Sequence, residues 1–280
     1  NSWGQTLPFG TSPTSDPTLF NGIANSALNG RGGLGTVIVK SAGNARSYVT
    51  GSDYDANSDP FNASRYAITV AALAPDGFVA NYSNQGANIL VAGHSNSIGI
   101  NTLQYGPLTV DRVGSQGYNG TGDYALFGGT SAAGPVVAGV VALMLDANPN
   151  LSARDVQQIL AYSARRAGSP VDLDSIDGNG ETLFTTEADF RTRFNMENWN
   201  GGGLHFSNNY GFGQVDARAA VRLAENWTSI GTWNNEQSVS ATITPNTLVP
   251  DPGTISFNIN LAAGISIETV RLQLNMTHTY

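Results

Sequence analysis

Gly128-Gly129-Thr130-Ser131-Ala132-Ala133-Gly134-Pro135, followed by Val136-Val137-Ala138-Gly139-Val140-Val141-Ala142-Leu143-Met144-Leu145-Asp146-Ala147, is the stretch on which the fold turns. Pro135 falls in a first helical turn, where its missing N–H breaks no hydrogen bond. The run behind it is apolar nearly all round, which predicts a helix over Ser131 to Ala147 buried in a domain interior. Such a helix needs other elements around it. Upstream, Thr36 to Lys40, Ala67 to Ala72 and Ala87 to Ala92 are short apolar or β-branched runs bounded by turn residues, the pattern of strands buried on both faces of a parallel sheet. Leu19, Phe20, Ile23, Ala24, Ala27 and Leu28 recur at helical spacing and stop at Gly30-Arg31-Gly32-Gly33. Downstream, Ser152 with Asp155 three residues later forms a capping box, and Val156, Ile159 and Leu160 give the helix behind it one apolar face. Residues 1–232 therefore read as α/β, a doubly wound parallel sheet.

The whole chain has 280 residues and a mass of 29.3 kDa. Thirteen Lys and Arg against twenty-one Asp and Glu give 13 − 21 = −8, so its surface would repel nucleic acid and anionic membranes. No apolar run reaches the length of about 18 residues that a membrane span needs. With no cysteine, the redox compartment is undetermined. After Trp227 the pattern changes: Ile255, Phe257, Ile259 and Leu261 alternate with Ser256, Asn258 and Asn260, and Val270, Leu272, Leu274 and Met276 alternate likewise. These predict half-buried antiparallel strands in a second domain, 233–280, with too few strands for a sandwich or jelly roll of about seven or eight. Asn1-Ser2-Trp3-Gly4 reads as the tail of a strand and Met276 to Tyr280 as the middle of one, so a fragment is expected at both ends. Residues 167–209 are rich in Asp, Asn and Gly and show no period.

Two short segments carry chemistry. Ser131 opens a buried helix, where backbone N–H groups and the positive end of the helix dipole favour developing negative charge, as a nucleophile requires. A helix N-cap is the alternative for a serine so placed. The G-x-S-x-G elbow is absent, because Ala133 stands where its second glycine would be. Ser41-Ala42-Gly43-Asn44 follows the strand Thr36 to Lys40 at the carboxyl edge of the sheet, where open α/β folds bind ligands. Asn44 could donate its side-chain amide to an oxyanion, or it could simply complete a turn.

Taken together, Asn1-Ser2-Trp3-Gly4, Gly30-Arg31-Gly32-Gly33-Leu34-Gly35, Ser41-Ala42-Gly43-Asn44, Gly129-Thr130-Ser131-Ala132, Tyr210-Gly211-Phe212-Gly213-Gln214-Val215-Asp216-Ala217 and Glu225-Asn226-Trp227 occur in the order seen in subtilisin-like serine proteases. The chain resembles more narrowly the kexin and furin group and its bacterial relatives, which carry a β-rich P domain. Glu268 to Tyr280 is similar to an early strand of that domain. The resemblance implies a secreted or cell-surface serine endopeptidase acting on protein or peptide substrates. Ser131 would be its nucleophile, Asn44 and the Ser131 backbone N–H its oxyanion donors, and Thr130 a neighbour of both. Ser2, Trp3 and Gly4 on one side and Ala42 and Gly43 on the other would be the edges between which substrate pairs as an added strand.

Two departures stand out. The family's catalytic Asp and His precede the segment that Asn1 opens, and none of His94, His205 and His278 matches the histidine motif, so this chain alone is expected to be inactive. A catalytically dead, peptide-binding or structural relative is the alternative. Dibasic-cleaving members also follow Ser-Trp-Gly with an acidic cluster, whereas Gln5-Thr6-Leu7-Pro8-Phe9 carries no charge. Asp59 falls where the family places another acid of the primary pocket. Asp53, Asp55 and Asp59, with Asn57 between the last two, put oxygens at every second position, which would suit Ca²⁺ or a solvated loop equally. Asp172, Asp174, Asp177, Asn179 and Glu181 form a second acidic loop with a spacing unlike an EF-hand.

Overall fold

The computed structural model describes residues 17–46, 55–96, 106–165, 167, 204–244, 247, 256–260 and 267–270. Ser2, Trp3, Gly4, Asp53 and the acidic loop from Asp172 to Glu181 lie outside them. The chain divides into two units, residues 1–234 and 235–280. The first runs α1 (Pro17–Asn29), β1 (Ile38–Ser41), β2 (Ala67–Leu73), β3 (Ile89–His94), β4 (Leu108–Val110), β5 (Tyr124–Leu126), α2 (Thr130–Ala147), α3 (Ala153–Ser163) and α4 (Ala217–Glu225).

β1, β2 and β3 form a parallel sheet in that order, with Val39 opposite Ile68 and Val70 opposite Val91. Side chains alternate across a strand, and β2 uses both faces. Ile68, Val70 and Ala72 join a core with Val137, Val141 and Met144 of α2 and with Val156, Ile159 and Leu160 of α3. Ala71 and Leu73 join a second core with Ala42, Ala56, Ile89, Ala92 and Tyr210. Each fully buried Val, Ile, Leu or Met contributes about 1.5–3 kcal/mol, so these two layers hold the sheet.

Strand limits differ from the expected ones for local reasons. Gly35 and Thr36 donate their N–H groups to Gly30 and Ser26, which ties them to the end of α1 and starts β1 at Ile38. Ile89 closes a turn on Gly86 O, and β3 therefore begins there and extends to His94. Arg31 stands at φ 51° in the turn after α1 and donates to Leu151 O and Pro149 O, each at 2.9 Å. That clamp fixes the end of α1 against the link between α2 and α3.

α2 corrects one expectation. It is an 18-residue helix, long and apolar enough by composition to cross a membrane, and one face packs in the core. It is not buried all round: Pro135, Ala138, Gly139, Ala142 and Leu143 form an exposed ridge, with Leu143 54% exposed. Among the described residues, the sheet and helix α4 pack on the opposite side. The β4–β5 antiparallel hairpin, with Leu108 opposite Leu126, and helix α4 were not foreseen. Strands of three residues are too short to show a period, whereas α4 had a signal in Asp216, whose Oδ1 accepts from Ala219 N–H at 2.9 Å as an N-cap.

In the second unit the described residues of the alternating segments, 256–260 and 267–270, carry no strand and are exposed, Phe257 at 48% and Val270 at 76%. Half-buried strands are not what these positions show. Alternation buries a face only against a second layer, and none is present among the described residues of this unit. Ile255, Leu261, Leu272, Leu274 and Met276 lie outside the described residues. The first unit extends to Asn234 because Trp233 packs with Ala27 and Ala153 and Asn234 donates to Leu28 O.

Candidate active site

The carboxyl ends of β1 and β3 converge on the amino end of α2. Gly129 precedes the helix at φ 77° and ψ 173°, a conformation that a side chain would strain, and so turns the chain sharply into Thr130 and Ser131. Beyond β1, Asn44 Oδ1 accepts from both the Thr130 N–H and the Thr130 hydroxyl, each at 2.8 Å. With its oxygen held, the amide has one orientation. Nδ2 faces the turn, 3.0 Å from where a Cβ on Gly129 would stand. Thr130 is 1% exposed, and its Oγ1 also accepts from Gly43 N–H at 3.2 Å. Ser41 Oγ donates to Thr130 O at 2.8 Å, and the closeness of Gly134 to that hydroxyl leaves no room for a larger residue.

Ser131 therefore sits half-buried in the first turn of α2, whose N–H groups lie outside the intrahelical ladder. Asn44, Gly43, Thr130 and Ser131 are brought together, and Ala42 O accepts from Asn62 Nδ2 and Asn84 Nδ2, which pins the edge strand leading to Asn44. Thr130, expected only as a neighbour, is the residue that orients Asn44. Its signal in the sequence was its position immediately before Ser131. The grip of the β3 end on Gly129 was not foreseen at all. Ser95 Oγ donates to Gly129 O at 2.8 Å, and Asn96 Oδ1 accepts from Gly129 N–H at 3.1 Å.

The histidines stand elsewhere. His94 Nε2 contacts Gln214 Nε2 at 2.7 Å, the ring of His205 stacks on Tyr210, and His278 lies outside the described residues.

Asp59 stands beneath the edge strand. Its Oδ1 accepts from Phe61 N–H at 2.8 Å and its Oδ2 lies 3.7 Å from Lys40 Nζ, which also donates to Ser41 O. Lys40 is 2% exposed, and burial lowers its pKa while Asp59 opposes that shift. Asp55 Oδ1 accepts from the backbone and side chain of Asn57. Asp55 and Asp59 thus accept from N–H donors, and the described residues, which do not include Asp53, hold no cluster of three or more His, Cys, Asp or Glu.

Removing the Asp59 carboxylate takes a counter-charge from beside a buried ammonium, which costs about 3 kcal/mol. Asp59→Ala is accordingly expected to lower the urea midpoint strongly, and adding Lys40→Met to restore most of it. If Asp59 instead binds a basic substrate side chain, as the family resemblance implies, stability would hold and kcat/KM of the full-length protein for cleavage after Arg would fall at least about tenfold relative to cleavage after Leu.

Residues 1–213 match the family model described as the subtilase family, and the chain belongs to that family. Among curated proteins it is 31% identical over 237 residues to neuroendocrine convertase 2 of Drosophila melanogaster, covering 82% of this chain and 30% of the relative. It is 30% identical over 230 residues to the Aeromonas extracellular serine protease of Aeromonas sobria (69% and 35%) and 29% over 224 residues to furin of Mus musculus (79% and 23%). The chain thus spans about a third or less of these relatives' length. Among solved structures, the serine protease of Aeromonas sobria aligns with a TM-score of 0.63 at 26% identity, covering 81% of this chain and 43% of that one. The same protease has been solved in complex with a chaperone.

Proposed function

We propose that this chain is the nucleophile-bearing part of a serine endopeptidase, convertase-like in character, that hydrolyses peptide bonds of proteins through an acyl-enzyme on Ser131. The observation that carries this reading is the Asn44–Thr130 pair. It aims one amide N–H donor at the amino end of the helix that begins with Ser131, so that two donors can meet one oxygen. In the reaction Ser131 Oγ bonds to the carbonyl carbon as its proton passes to a general base. The C–N bond then breaks with that proton delivered to the leaving amine, and water hydrolyses the ester by the reverse route. Ala42 and Gly43 would align the substrate backbone as an added strand, with Ser2, Trp3 and Gly4 proposed as the second edge from the family resemblance alone.

None of His94, His205 and His278 matches the family's histidine motif, so the general base is proposed to come from a segment other than residues 1–280. The exposed ridge of α2 from Pro135 to Leu143, one turn beyond Ser131, is a surface on which a base-bearing segment would pack. A secretory route is supported by a relative named as an extracellular protease. A chaperone is a partner by analogy with the Aeromonas sobria protease, while the net charge of −8 speaks against nucleic acid.

The test is peptide turnover. Residues 1–280 alone are expected to release no chromophore from a peptide nitroanilide. The enzyme with its base is expected to turn it over and to lose that activity by several orders of magnitude on Ser131→Ala. Turnover by the 280-residue chain would overturn the assignment of the base.

A further inference from the structure

The end of β3 holds a buried polar cluster for which hydrolysis as described above has no use. Tyr82, Ser95 and Asn96 are 2%, 2% and 9% exposed. The Tyr82 hydroxyl lies 2.7 Å from Asn96 O, 2.9 Å from Asn96 Oδ1 and 3.0 Å from Ser95 Oγ. Ser95 is fixed in turn by its N–H on Leu73 O at 2.7 Å. From this cluster two bonds reach the same residue, Ser95 Oγ to Gly129 O and Gly129 N–H to Asn96 Oδ1. The Asn96 amide also fills the space where a side chain on Gly128 would stand.

Three polar side chains buried together are costly unless all are bonded, and here the bonds converge on Gly129, two residues before Ser131. We infer that Tyr82, Ser95 and Asn96 are positioning residues for Ser131: they hold Gly129 through its N–H and its carbonyl and thereby set where the nucleophile and its backbone N–H stand. The inference rests on Ser131 being the nucleophile. Thr130, the next residue, is gripped from the opposite side by Ser41 and Asn44. The strands β1 and β3 thus clamp the turn between their carboxyl ends. Burial raises the Tyr82 pKa above that of an ordinary tyrosine, which keeps its hydroxyl protonated as the donor that orders Asn96.

Proximity catalysis is sensitive to small displacements, so loosening this grip should slow chemistry rather than weaken binding. In the intact enzyme, Ser95→Ala and Asn96→Ala are each expected to lower kcat per titrated active site about tenfold with KM within about twofold. Asn96→Asp, which keeps an acceptor for Gly129 N–H, should recover most of the loss. Tyr82→Phe keeps the ring and removes only the hydroxyl, so it serves where Asn96→Ala does not fold. Independently of activity, hydrogen exchange at the Gly129 amide of the 280-residue chain should quicken at least about tenfold in Asn96→Ala. Unchanged kcat per titrated site in Ser95→Ala and Tyr82→Phe, with only the melting temperature lowered, would make the cluster structural and overturn the inference. If the exchange result holds and Ser131→Ala leaves activity intact, the grip on Gly129 stands while the nucleophile assignment fails.

Discussion

Asn44→Ala in the intact enzyme is expected to lower kcat by roughly 10²–10³ with KM little changed, a loss of about 3–4 kcal/mol of transition-state stabilisation. The magnitude is the one known for an oxyanion donor in a subtilisin, not one worked out for this chain. The reason for expecting it here is geometric. Asn44 Oδ1 is already committed to two donors of Thr130, so Nδ2 cannot turn away from the α2 terminus without breaking both bonds. A donor held before the reaction costs no reorganisation as charge develops, and it matters more to the tetrahedral oxyanion than to the ground-state carbonyl. A fall in stability with unchanged kcat would reduce Asn44 to a turn residue.

Asp155→Ala is the second large effect, on folding. The carboxylate is fully buried and completes the capping box of α3, Ser152 donating its N–H to Oδ2 at 2.7 Å while Ser152 Oγ accepts from Asp155 N–H. It also accepts from Trp227 Nε1, Ser229 Oγ and Ile230 N–H at 2.8–3.0 Å, tying residues 227–230 to the start of α3. Alanine removes the acceptor of the buried Ser152 N–H and of three part-buried donors, an expected loss of about 3 kcal/mol in urea unfolding at pH 7. Burial alone would raise the Asp155 pKa, but the bonds from Ile230, Ser152, Ser229 and Trp227 hold it below the ordinary 3.8. A depressed carboxylate stabilises the fold above its unfolded pKa and stops doing so as pH falls through its folded pKa. The gap between wild type and Asp155→Ala should therefore be constant near neutrality and close below about pH 4. A loss under about 1 kcal/mol at pH 7 would contradict this role.

The capping box, the three parallel strands and the position of Ser131 were legible because each depends on local sequence: an N-cap pair three residues apart, short runs apolar on both faces, a proline one turn into a helix. Asn44 was legible as a candidate from the chain order of two glycine-flanked segments. The roles of Thr130, Ser95, Asn96 and Tyr82 were not, because they depend on contacts across 13 to 86 residues of chain that no local pattern encodes. Asp59 shows the converse. Its place in the sequence suggested a substrate pocket, while its nearest cation is Lys40 of β1, a lysine inside a strand that otherwise reads as apolar. The exposed ridge of α2 was missed for a related reason, since a helix apolar all round carries no mark of which side its neighbours leave bare.

Whether Ser131 is the nucleophile is decided by treating the intact enzyme with a fluorophosphonate and locating the adduct by peptide mass spectrometry. A single modification on the peptide containing Gly129-Thr130-Ser131-Ala132, formed in step with loss of activity and absent from Ser131→Ala, is the predicted result. Inactivation with the adduct on another serine, or peptidase activity that survives in Ser131→Ala, would contradict it.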